Sequence, residues 1–169
     1  MALRDDRIAW ESRAAPTRRF HSDGCFVCGQ ANPAGFRAPV WTDERFAWIE
    51  AVVPEPLRGF AEITHGGAIA ALLDEAMWYA IYAQGKATLT VSLEIRLRKP
   101  VVPGSTVIAE ALGLGRRGRF YLGRARVRDE RGEVVATAAG EFLEAPGRFG
   151  HLTGMLVEQR LQSSGSGDP

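Results

Sequence analysis

HGGAIAALLDEAM, residues 65–77, opens with a histidine and two glycines, continues as an apolar run, and then sets Asp74 and Glu75 side by side. Ala, Ile, Met, Trp and Tyr carry the pattern on until Gly85 breaks it. The segment predicts a helix over 66–83, with Thr64 as its N-cap and Gly85 as its stop. Its apolar residues point in every direction, and a helix hydrophobic all round is a buried helix. A carboxylate there is costly unless it is paired, hydrogen-bonded or protonated, so Asp74 needs a reason to be where it is. Glu75 is rotated by roughly 100° from Asp74, and the two cannot face the same target.

Beyond Gly85 the period of the pattern changes from 3.6 to 2. In ATLTVSLEIRLRKP (87–100), Leu89, Val91, Leu93, Ile95 and Leu97 are predicted on one face of a long half-buried strand. Thr88, Thr90, Ser92, Glu94, Arg96 and Arg98 take the other face. Three further strands are expected over 105–114, 119–129 and 133–144, joined by turns at Gly115–Gly118 and Asp129–Gly132. Upstream, 36–41 and 46–53 read as a hairpin through residues 42–45, and 23–35 (DGCFVCGQANPAG) as a loop. The ends are expected to carry a helical turn or two around Ile8 and Trp10, a short helix within 146–162, and a mobile SSGSGDP tail. The predicted architecture is α+β, a curved antiparallel sheet of about six strands wrapped around one long buried helix. The corresponding layout is an N-terminal extension over 1–22, one domain over 23–145 and a C-terminal extension over 146–169.

Composition narrows the function classes. The 169 residues suffice for one well-cored domain, and 46% hydrophobic with 24% charged residues is a globular balance. A formal net charge of +1 offers no basic excess for a nucleic-acid backbone. The longest wholly apolar run, AIAALL (68–73), is far short of a membrane span. MALRDDRIAW has no apolar signal core, two cysteines cannot make a disulfide framework, and their CxxC spacing points to a reducing compartment, so a cytoplasmic protein is expected.

Glycine-rich entry, long helix, Asp74 nine residues after His65, and a long strand ending in a basic residue and proline (GFAEITHGGAIAALLDEAM…TLTVSLEIRLRKP, 59–100) together resemble the hotdog-fold thioesterases. The nearest group is the phenylacetic-acid-pathway-like acyl-CoA thioesterases, and CFVCGQANPAGF (25–36) is similar to a segment of one subset of them. The resemblance implies a homodimer or homotetramer that hydrolyses acyl-CoA without a cofactor. It places the catalytic carboxylate on Asp74, the oxyanion donor on the Gly66 backbone N–H, a supporting polar group on His65 and a hydroxyl partner on Thr90. Where some members carry Asn or Gln ahead of the HGG, this chain has Leu57-Arg58-Gly59.

The residues also stand on their own chemistry. The first turn of a helix leaves backbone N–H groups unpaired, so Gly66 and Gly67 can either receive a developing negative charge or simply make a tight entry. His65 can orient a loop or touch substrate, and Thr90 can hold water near Asp74 or be an ordinary strand residue. Arg96 and Arg98 on one strand, and Arg116, Arg117 and Arg119 at a turn, are candidates for coenzyme A phosphates or plain surface charge. Cys25 and Cys28 are structural loop cysteines or, with His21 or a second chain, part of a metal site. The helix entrance and Asp74 lie about 12 Å apart along the axis, which predicts sites shared between two chains. Two other readings remain: a non-catalytic hotdog protein that binds an acyl ligand, and a small zinc-stabilised interaction protein.

Overall fold

A computed structural model describes Trp10, residues 16–145 and residues 157–160. Eight strands form one antiparallel sheet: β1 (Arg18–His21), β2 (Val40–Thr42), β3 (Phe46–Val52), β4 (Thr88–Leu97), β5 (Thr106–Arg117), β6 (Phe120–Asp129), β7 (Val134–Glu144) and β8 (Val157–Arg160). Their spatial order is β4-β7-β6-β5-β3-β2-β1-β8. The one α-helix among the described residues, α1 (Gly66–Tyr82), lies against the middle of the sheet, and a 3-10 turn occupies Glu55–Leu57.

The helix seats closely because the strands beneath it carry small residues. Gly113, Gly123 and Gly140 pair in one row across β5, β6 and β7. A Cβ on Gly123 would come within 2.9 Å of the Met77 side chain, and one on Gly113 within 2.9 Å of the Ala80 carbonyl. No side chain fits there without moving the helix. Ala109, Ala111, Ala125, Ala136 and Ala138 extend this trough, and Leu72, Leu73, Ala76, Met77 and Ile81 fill it. Burying side chains of this size is worth roughly 1.5–3 kcal/mol each for the larger ones, which outweighs the helix's weak local preferences.

Several expectations need correction. The helix is capped by His65, whose Nδ1 accepts a hydrogen bond from the Gly67 N–H at 3.0 Å. Thr64 instead donates its own N–H to the Val101 carbonyl. The strand expected over 36–41 begins only at Val40, because Phe36 and Ala38 donate their N–H groups back to Phe26 and Val27. Residues 157–160 form a strand paired with β1 rather than part of a terminal helix. Trp10 is buried outside any helix or strand, against Phe46. The helical turn around Ile8, residues 146–156 of the expected terminal helix and the SSGSGDP tail lie outside the described residues.

The largest correction concerns β4. It is the edge strand, paired only with β7, and a bulge at Val91 interrupts its register between Thr90 and Ser92. Cross-strand partners share a face, so the bulge exchanges the alternation. Thr90 lies opposite buried Phe142, and after the bulge Leu93, Ile95 and Leu97 lie opposite Gly140, Ala138 and Ala136 on that same helix-side face. Leu89 falls on the other side. The strand is therefore not half-buried: Val91 is 54% and Leu97 56% exposed at the sheet's edge.

Candidate active site

Two features of α1 define the region where chemistry is possible. At its entrance, residues 57–65 fold back on themselves: the Gly59 N–H reaches the Ile63 carbonyl, and His65 donates to Leu57. Ala61 and Glu62 at the loop's tip both have positive φ, at 48° and 62°. This strained reversal positions His65 and Gly66 beside the end of β4. A cleft of about 470 Å³ opens there, lined by Phe60, Ile63, Gly66, Ile69, Leu97 and Arg98 among others. Gly67 spends its N–H on His65, whereas the Gly66 N–H has no hydrogen-bond partner among the described residues. With the helix dipole behind it, that group can stabilise an oxygen that gains negative charge.

The second feature is Asp74, eight residues further along the same helix. Thr90 Oγ1 of β4 donates a 2.9 Å hydrogen bond to Asp74 Oδ1. Burial pushes the Asp74 carboxyl above the ordinary carboxylate range, and the Thr90 bond offsets part of that rise. A carboxylate so placed can take a proton or attack an electrophilic carbon. It lies away from the residues that line the cleft, so one chain does not bring Gly66 and Asp74 together.

Glu75, on the neighbouring face, meets the cysteine loop. The Cys25 thiol donates to Glu75 Oε1 at 3.1 Å, across fifty residues of chain. Burial raises the Glu75 carboxyl well above its usual range. Hydrogen bonding from Cys28, with the backbone N–H groups of Cys28 and Val27, favours the thiolate of Cys25, while the bond to Cys25 and burial push the Cys28 thiol up. His21 is not part of this cluster; its near neighbour is Asp23 at 4.0 Å.

The arginines divide between two ends of the sheet. Arg98, just past the end of β4, lines the cleft near Gly66, and Arg96 within β4 pairs with Glu94. Arg116, Arg117 and Arg119 lie at the β5–β6 hairpin, by the opposite end of β4. There Arg117 pairs with Glu141, and Arg116 and Arg119 rest on the rings of Tyr121 and Phe120. Trp78, Tyr79 and Tyr82 pack on one another and do not line the cleft. Sequence reasoning overlooked Phe60, which lines the cleft at 90% exposure; its signal was a lone aromatic in the glycine-bounded GFAEI loop.

One long helix laid in a strongly antiparallel sheet, entered through His-Gly-Gly, is the hotdog arrangement. Solved structures agree on the fold. The E. coli PaaI protein from the phenylacetic acid degradation operon superposes with a TM-score of 0.63 at 23% identity, covering 71% of this chain and 85% of that one. A Streptococcus mutans protein bound to acetyl CoA superposes with a TM-score of 0.58 at 16% identity, covering 61% and 83%. In sequence, residues 61–136 match the model of the thioesterase superfamily. Over 99 residues the chain is 31% identical to an Archaeoglobus fulgidus protein with a provisional esterase name, an alignment covering 57% of this chain and 63% of that protein. The chain thus spans less than two thirds of that relative's length. The matched segment runs from the helix entrance through β6 to the start of β7, and the fold is that of the solved hotdog structures.

Proposed function

We propose that the protein hydrolyses acyl-CoA thioesters to a free acid and coenzyme A, at sites each built from two chains. The observation that carries this reading is Asp74: a partly buried carboxylate in an apolar helix, held by Thr90 at an uncovered sheet edge. Asp74 activates a water as general base, or attacks the thioester carbon and is released by water afterwards. The Gly66 N–H of the second chain receives the charge that develops on the carbonyl oxygen. The match of residues 61–136 to the thioesterase superfamily, the provisional esterase name of the archaeal relative and the acetyl CoA bound by the S. mutans protein support this choice of substrate.

The second chain also has a place to sit. β4 is a ten-residue edge strand with Leu89, Val91, Leu93 and Leu97 exposed. Such an edge invites pairing, and a two-fold partner would cover it. Arg98 and the hairpin arginines would then supply phosphate contacts to coenzyme A. The test is thiol release from a panel of short, long and aromatic acyl-CoA esters. Turnover of at least one ester supports the reading. Tight acyl-CoA binding without release across the panel would mark a binding protein instead and overturn it.

A further inference from the structure

The loop before β2 brings two sulfurs against a carboxylate of α1, and the proposed thioester chemistry uses none of the three. The ligand atoms of Cys25, Cys28 and Glu75 all lie within 4.8 Å of one another. Donors bound to one tetrahedral zinc, with bonds of about 2.3 Å to sulfur and 2.0–2.2 Å to oxygen, stand roughly 3.5–3.8 Å apart. The Cys25–Glu75 separation of 3.1 Å needs only a small adjustment to meet that spacing.

The loop is also shaped for thiolate before any ion arrives. Cys25 Sγ accepts hydrogen bonds from the Val27 and Cys28 N–H groups, at 3.3 and 3.4 Å. Paired N–H donors aimed at the first sulfur of a Cys-x-x-Cys turn stabilise its negative charge. Gly29 closes the turn with its N–H on the Cys25 carbonyl; a Cβ there would lie 2.2 Å from that oxygen, so only glycine fits. Asn32 Nδ2 holds the carbonyls of Gly24 and Cys25 from the outer side. The remaining donor stands on α1, between Leu73 and Ala76 that are fixed in the core. Two rigid elements thus converge on one point. Among the described residues no Lys, Arg or His pairs with any of the three, so a half-buried acidic set lacks a protein cation.

We propose that Cys25, Cys28 and Glu75 form a zinc site that clamps the 22–38 loop onto α1, one residue beyond Asp74. Two thiolates and a carboxylate favour zinc over magnesium or calcium, whose ligands are all oxygen. Binding sends the protons of both thiols, and of Glu75 where it holds one, to solvent. No fourth His, Cys, Asp or Glu joins the cluster among the described residues, which leaves a place for water; the Tyr79 hydroxyl, 3.7 Å from Cys28 Sγ, borders it.

The test uses the full chain, reduced and stripped of metal, then titrated with zinc against a chromophoric chelator and with cobalt as a spectroscopic probe. The expected result is one ion per chain, with a thiolate-to-cobalt charge-transfer band. Cys25→Ser and Cys28→Ser should each weaken zinc binding by more than about 100-fold, and Glu75→Gln by at least about 10-fold, since even outer partners of metal ligands are worth 10–100-fold. Glu75→Gln binding as tightly as the parent would overturn the assignment. X-ray absorption on the zinc-loaded parent needs no variant, and should count two sulfurs among four ligands. Any other sulfur count, or a reduced protein that takes no zinc, would overturn it equally.

Discussion

Thr90 Oγ1 hydrogen-bonds Asp74 Oδ1 at 2.9 Å, joining the edge strand to the middle of the helix. The bulge at Val91 makes this possible by putting Thr90 on the helix side together with Leu93, Ile95 and Leu97. If Asp74 carries the chemistry, Asp74→Asn should lower kcat for thioester hydrolysis by about 10³-fold, within the range of general-base catalysis, while KM changes little. Thr90→Val keeps the side chain's shape and removes the donor. Losing one hydrogen bond of about 1–1.5 kcal/mol should cost kcat roughly tenfold. Steady-state thiol release measures both, and an Asp74→Asn protein with parental turnover would move the role to another acid.

Arg98 and Lys99 share the cleft with Gly66, but Lys99 already holds Glu133 at 2.6 Å, which singles out Arg98. Arg96 and Arg117 already hold Glu94 and Glu141. Arg98→Ala should therefore raise KM for acyl-CoA by about 5–10-fold with kcat nearly unchanged, as expected for a contact made equally to substrate and transition state. Added salt should shrink the difference. Arg116→Ala, Arg117→Ala and Arg119→Ala test the hairpin in the same assay. If none of these variants, nor Arg96→Ala, alters KM, coenzyme A is held by other groups.

What the sequence disclosed follows from periodicity. The helix over 66–83 and the strands around 105–114, 119–129 and 133–144 have long, regular patterns, and the structure places them within a few residues of those bounds. β1 and β8 are four residues each and pair with one another, so their conformation is set by a partner some 140 residues away and not by local pattern. The face of Thr90 was misread for a related reason, since a one-residue bulge leaves no mark on a simple alternation. HGG and Asp74 stood out because glycines and a carboxylate are anomalous in an apolar helix. The contact of Glu75 with Cys25 had no such signal; it depends on where a loop fifty residues upstream comes to rest.

Stability should depend on a charge cluster remote from the cleft. Glu110 of β5 is 1% exposed and accepts from Arg126 Nε at 2.7 Å and from Arg128 at 2.8 and 2.9 Å. Arg126 also lies over the Trp10 ring. Glu110→Ala would leave both arginines without their shared acceptor. Breaking a buried pair costs about 3–5 kcal/mol, but these arginines are a quarter exposed and can turn to water. A loss near 2–3 kcal/mol in urea denaturation is expected on that basis. A change below 0.5 kcal/mol would show that the cluster is already solvated.

The shared site makes the sharpest prediction, because it can be tested by mixing two inactive proteins. Gly66 and Asp74 are eight residues apart on one continuous helix, about 12 Å along the axis. Oxyanion donor and base must both come within roughly 3 Å of one thioester. Gly66→Pro removes the free N–H while suiting the first helical position, where proline is readily accepted. His65 before it already has φ −58° and ψ 130°, the extended conformation a proline requires of its predecessor. A Cβ at position 66 would meet Leu97 Cδ1, the end of a flexible side chain. Each variant alone should be inactive. In a heterodimer with Asp74→Asn, one site combines an intact Asp74 with the other chain's intact Gly66, and the second site carries both defects. Random reassembly should therefore restore about a quarter of parental activity, half the dimers each having one working site of two. Sites contained within single chains would give no recovery at all in verified heterodimers, and that result would refute the two-chain arrangement.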